Sequence, residues 1–106
     1  MDWETNKFFS QMASIRMDIN DYENWCNTYE SFHYPEWTMK NGKTIPLKNM
    51  SDEHLENTIN LVERKDKTNN WLQILKQEKT YRKNKKKIIE LKQELKSFEE
   101  IADEIY

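Results

Sequence analysis

The stretch WTMKNGKTIPLKNMSDEHLENTI, Trp37 to Ile59, decides the fold because the signals for a hairpin and for a helix start meet within it. Asn41-Gly42 is the strongest short hairpin signal: a type I′ turn needs positive φ at both central residues, and asparagine and glycine tolerate that. A two-residue turn there pairs Lys40 with Lys43, Met39 with Thr44, Thr38 with Ile45 and Trp37 with Pro46. Trp37, Met39 and Pro46 then share one face, and Ile45 and Leu47 the other. Pro46 cannot donate to a ladder, so its strand is an edge. Ser51 reads as an N-cap, with Asp52 and Glu53 in the first turn, where the helix dipole favours negative charge. The helix it opens runs to about Arg64 or Lys65. Leu55, Ile59 and Val62 form its apolar face; His54, Asn57 and Leu61 form a separate stripe about a third of a turn away. An isolated hairpin is barely stable in water, so one of its faces must lie on helices.

Those helices are predicted on either side. Upstream, Phe8, Met12, Ile15, Ile19 and Tyr22 recur at the 4-3-4-3 spacing of one helical face, which predicts a helix from about Thr5 into the twenties. Trp25, Tyr29, Phe32, Tyr34 and Trp37 follow as an aromatic run expected to loop back over that helix, with Pro35 disfavouring helix at Tyr34. Downstream, a polar joint at 66–70 precedes a long helix from Trp71 to near the end. Its heptad frame has Ile74, Tyr81, Ile88, Leu95 and Ala102 at a, and Gln77, Asn84, Leu91, Phe98 and Ile105 at d, an apolar seam broken by two amides. So long a helix needs either dimerisation or the N-terminal helix folded back on it to cover the seam. The expected fold is mainly α with a small β-hairpin (α+β). It is one domain, 1–106, with an aromatic acidic head at 1–65 and the long helix at 71–105.

Bulk properties limit the function. The 106 residues carry a net charge of −2, with 36% apolar and 34% charged residues. That composition approaches disorder, but 13 aromatics and the regular apolar spacing argue for a packed fold. The charge is segregated: residues 1–63 carry 5 basic and 11 acidic side chains, 64–98 carry 12 and 4, and 99–106 carry 4 acids and no base. This polarity favours charged partners or antiparallel self-association. A single cysteine, Cys26, excludes an internal disulfide framework and fits a reducing compartment. With no leader-like or membrane-spanning apolar run, the expected location is the cytoplasm.

Catalytic signatures are missing. There is no glycine-rich phosphate loop, no G-x-S-x-G and no H-E-x-x-H, and Cys26, His33 and His54 lack the paired spacing of a zinc site or a nucleophile-base pair. We therefore expect no enzyme, metal or cofactor. Three binding readings remain. The acidic, aromatic head offers Trp25, Tyr29, Glu30, Tyr34, Glu36 and Trp37 as a protein-binding surface, since aromatics fill pockets with little entropy loss. Leu47, His54 and Asn57 beside the helix start offer a nucleotide pocket, with a carboxamide for a base edge and an apolar wall. The run KTYRKNKKK offers Arg82, Lys83, Lys85, Lys86 and Lys87 to nucleic-acid phosphates.

Trp37, Gly42, Ile45, Met50, His54-Leu55, Asn57 and Ile59 give W-x4-G-x2-I-x4-M-x3-H-L-x-N-x-I. This resembles a pattern in small proteins of phages and other mobile elements and covers about a fifth of the chain. The resemblance implies a counter-defence role, either a stoichiometric anti-CRISPR-like inhibitor of a host defence protein or a sponge for a nucleotide messenger, as in the Thoeris anti-defence family. The partners expected are thus a host defence protein, a second copy through the 74–105 helix, and possible nucleic acid, with no membrane.

Overall fold

The computed structural model describes residues 3–32 and 35–105. In chain order they form helix α1 (Trp3–Ser31), strands β1 (Glu36–Thr38) and β2 (Thr44–Pro46), a 3-10 turn (Leu47–Asn49), helix α2 (Asp52–Lys65) and helix α3 (Asn70–Ile105). The fold is mainly α with one antiparallel hairpin, as the sequence predicts. The chain divides into two compact units, Met1–Thr28 with Asn84–Tyr106, and Tyr29–Lys83.

In the first unit α1 lies on the C-terminal half of α3. Ile15, Ile19 and Leu91 are buried together, with Tyr22, Leu95 and Phe98 packed against them. Phe8 meets Phe98 at a ring-centroid distance of 5.2 Å, while Glu23 pairs with Lys92 at 2.8 Å, so the two helices run antiparallel. The seam at Leu91, Leu95 and Phe98 is therefore met by α1 of the same chain, the fold-back alternative. α1 is longer than expected. The 4-3-4-3 face does not stop at Tyr22 but continues through Cys26 and Tyr29, so Trp25 and Tyr29 extend the helix rather than looping back over it. Pro35 lies four residues beyond its end.

In the second unit Leu47, Met50, Leu55, Ile59, Val62, Leu72 and Leu75 form the core, with Trp37, Ile45, Trp71 and Ile74 packed on it. Trp37 and Trp71 meet edge to face at 5.3 Å. Ser51 is the N-cap of α2, its Oγ accepting from the His54 amide at 3.1 Å, and Leu55, Ile59 and Val62 are its buried face, both as predicted. The joint before α3 is ordered by side chains: Asp66 Oδ1 accepts from the Thr68 amide and hydroxyl, and Asn69 Oδ1 from the Trp71 amide.

The hairpin register differs from the expected one. Trp37 faces Ile45, Thr38 faces Thr44 and Glu36 faces Pro46. The turn holds three residues: the Gly42 amide donates to Met39 O at 2.9 Å, the Met39 amide donates to Lys43 O at 2.7 Å, and only Gly42 has positive φ, +84°. This is a type I turn closed by a glycine bulge, which leaves Asn41 at negative φ with its Oδ1 accepting from the Lys43 amide. Because side chains alternate with period 2, the one-residue shift brings Trp37 and Ile45 to the same face, and that face packs on the core.

Candidate functional site

The densest polar cluster in the second unit forms around Glu78, whose side chain is buried at 1% exposure. An isolated carboxylate there would be costly, so its lone pairs must be filled. The Tyr29 hydroxyl donates to Oε2 at 2.5 Å, and Arg82 Nε donates to Oε1 at 3.2 Å. The rest of the Arg82 fork donates to Asp52 Oδ1 at 2.8 Å and to the carbonyls of Leu47 and Met50 at 2.9 and 2.6 Å. Burial works against the charge on Arg82, but the bonds to Asp52 and Glu78 and their negative charges outweigh it and hold its pKa above the usual guanidinium value. One level along, the Tyr81 hydroxyl donates to Glu30, and the Tyr29 and Tyr81 rings stack at 4.7 Å. No buried side-chain nitrogen or oxygen among the described residues lacks a hydrogen-bond partner. The cluster is a brace: it ties the 3-10 turn and the start of α2 to α3. Its sequence signal was available, because Glu78 is the only acid between Asp66 and Glu90 and stands four residues before Arg82.

The predicted protein-binding residues are therefore dispersed. Tyr29 and Glu30 are engaged by Glu78 and Tyr81, and Trp37 packs on the core. Glu36 is exposed on β1 and Trp25 is 37% exposed on α1, while Tyr34 lies outside the described residues. Of the nucleotide-pocket residues, Leu47 has no exposed surface and forms core rather than a wall for a ligand. His54 is half-buried, its carbonyl accepting from the Thr58 hydroxyl at 2.7 Å, and Asn57 is exposed. Arg82 is committed to the brace; of the predicted phosphate-binding residues, Lys83, Lys85, Lys86 and Lys87 are the exposed ones. His33 lies outside the described residues, and no three potential metal ligands cluster among those described. None of the described helices is long and apolar enough to cross a membrane.

Two surface features were not anticipated. A groove of about 360 Å³ opens along the start of α3, lined by Lys67, Asn69, Gln73, Lys76, Gln77 and Thr80 among others, with Leu72 contributing apolar surface and no acidic residue in the lining. On α1, Trp3 is 73% and Met17 67% exposed. Comparison of the chain with protein-family models, curated proteins and solved structures gives no match.

Proposed function

We infer that the protein acts without catalysis, by stoichiometric binding of a macromolecular partner, and that the binding surface is the outward face of α1 in the first unit. The observation that carries this is the exposure of Trp3, Met17 and Trp25 on a helix whose opposite face is buried. At 100° per residue the three fall within an arc of about 80°, on the side away from Ile15 and Ile19, with Asp18 and Asp21 beside them. Tryptophan and methionine are enriched at the desolvated centres of interfaces, and flanking carboxylates give such a patch a preference for a basic groove. This keeps the acidic aromatic surface expected from the sequence but moves it from the run around Tyr34 to the helix. The partner class we assign is a host defence protein, in keeping with the resemblance of residues 37–59 to small phage proteins.

The test is phage plating on strains carrying defined defence systems, with and without the protein expressed. Plating restored by the wild type on one strain, and lost in Trp3→Glu/Met17→Glu with the melting temperature unchanged, supports the reading. Wild-type protein that restores plating on no strain, or a double variant as active as the wild type, rejects it.

A further inference from the structure

The exposed face of α1 carries a second regularity, which lies wholly within the first unit. Trp3, Lys7, Ser10, Ser14, Asp18, Asp21 and Trp25 follow one another at steps of 4-3-4 and then 4-3-4, so the spacing reads the same in either direction about Ser14. At 100° per residue the row falls within an arc of about 80°, centred well away from the buried Met12, Ile15 and Ile19, and every member is exposed. Its chemistry is ordered: a tryptophan at each end, a base on one side of the centre, acids on the other, and serines in the middle. Lys7 Nζ lies over the Trp3 ring, 5.1 Å from its centroid, and Lys7, Asp18 and Asp21 make no ion pair among the described residues.

We propose that this row seats a second copy of the chain, with the two α1 helices antiparallel about a two-fold axis at Ser14. In that register Trp3 faces Trp25 of the second copy, Lys7 faces its Asp21 and Ser10 faces its Asp18. Each match occurs twice by symmetry, and no like charges in the row oppose one another. Serine at the axis lets the helices approach closely. Met17, 67% exposed, falls at the level of Ser10 and Ser14 of the second copy, whose small side chains leave room for it. The contacts cannot form within one chain, since Trp3 and Trp25 stand at opposite ends of a continuous helical stretch with about 33 Å of rise between them. A parallel, in-register pair would set Lys7 on Lys7 and Asp21 on Asp21, so only the antiparallel arrangement is favourable, and being isologous it closes as a dimer. Resting on the reading of this face as the partner-binding surface, the inference adds its regulation: a second copy covers Trp3, Met17 and Trp25, so self-association and partner binding compete for one face.

The test is sedimentation equilibrium of the full chain in low salt over a range of concentrations. The wild-type mass should rise from 13.0 kDa to twice that value. Lys7→Glu and Asp21→Lys should each associate about tenfold more weakly alone, since two matched pairs become two repulsive ones. Mixed in equal amounts they should form a one-to-one pair, because Glu and Lys then face one another at one end and Lys7 and Asp21 at the other. Acrylamide quenching of tryptophan fluorescence should fall over the same concentration range, as Trp3, 73% exposed, and Trp25, 37% exposed, are covered. Orientation is read with cysteines, Cys26 being buried: Ser14→Cys should cross-link to itself under mild oxidation, and Ser10→Cys should not. A wild type that stays monomeric, single variants that associate as tightly as the wild type, a mixture that forms no pair, quenching unchanged while the mass doubles, or Ser10→Cys cross-linking as readily as Ser14→Cys overturns the proposal. None of these readouts involves a host protein, so failure of the dimer and failure of the partner-binding reading are distinguishable.

Discussion

Arg82→Met removes the fork that joins Glu78 to the 3-10 turn and to the start of α2, and its cost follows from what is left behind. The Leu47 and Met50 carbonyls lose their side-chain donor, and Glu78, at 1% exposure, keeps only the Tyr29 hydroxyl. Removing one partner of a buried ion pair costs about 3–5 kcal/mol, because the other charge stays buried and uncompensated. The Asp52 end of the network is 72% exposed and contributes little, which places the expected loss near the lower bound, about 3 kcal/mol. At about 4–8 °C per kcal/mol for a domain of this size, the melting temperature should fall by about 12–24 °C. Calorimetry and urea unfolding measure it, the latter with an unchanged slope if only stability has moved. Glu78→Leu/Arg82→Met should recover much of the loss, since replacing both members by apolar groups of similar shape removes the stranded charge. Lys83→Met, one residue along and exposed, should stay within about 0.5 kcal/mol of wild type. A loss below about 1 kcal/mol for Arg82→Met, or a double variant no better than the single one, would show that the brace does not hold this unit together.

Two further outcomes follow from local geometry. Gly42→Ala meets no atom within 4 Å but must adopt φ near +84°, so it should cost about 1 kcal/mol in urea unfolding through backbone strain alone, whereas Asn41→Ala, at negative φ, loses only one exposed hydrogen bond. The Thr68 hydroxyl and then its amide hold the Asp66 carboxyl below its ordinary pKa, so Asp66 contributes stability that is complete above the ordinary carboxylate range and lost as pH falls through the lowered folded value. Asp66→Asn should therefore flatten the acid side of the stability profile, and an acid limb identical to that of the wild type would count against it.

Much of this fold was legible because its signals are local. The Ser51 cap, the Leu55-Ile59-Val62 face and the seam from Leu91 to Phe98 need only periodicity and cap chemistry, and the structure keeps all three. The hairpin register failed for a physical reason. Asn-Gly is compatible with both a two-residue I′ turn and a three-residue turn closed by a glycine bulge, and the choice falls to whichever register buries Trp37 with Ile45, a tertiary consequence absent from the turn residues themselves. The end of α1 differs from the expected one because Cys26 and Tyr29 continue the helical face through the aromatic run, which carries Trp25 along with it. The brace is masked in the sequence because Arg82 sits in a run of lysines; only the lone acid four residues earlier marks it as different.

That distinction bears on what the basic run does. Counted as a block, Arg82 and Lys83–Lys87 make a polyanion site plausible. The structure separates them: Arg82 is used internally, Lys79 pairs with Glu56 at 2.7 Å and Lys76 reaches Glu63 at 3.8 Å, so part of the positive charge is already answered by α2. Lys83 and Lys87 remain without a carboxylate partner among the described residues. Surface ion pairs of this kind are individually weak, about 0–1 kcal/mol each, so they specify register and orientation more than they supply affinity.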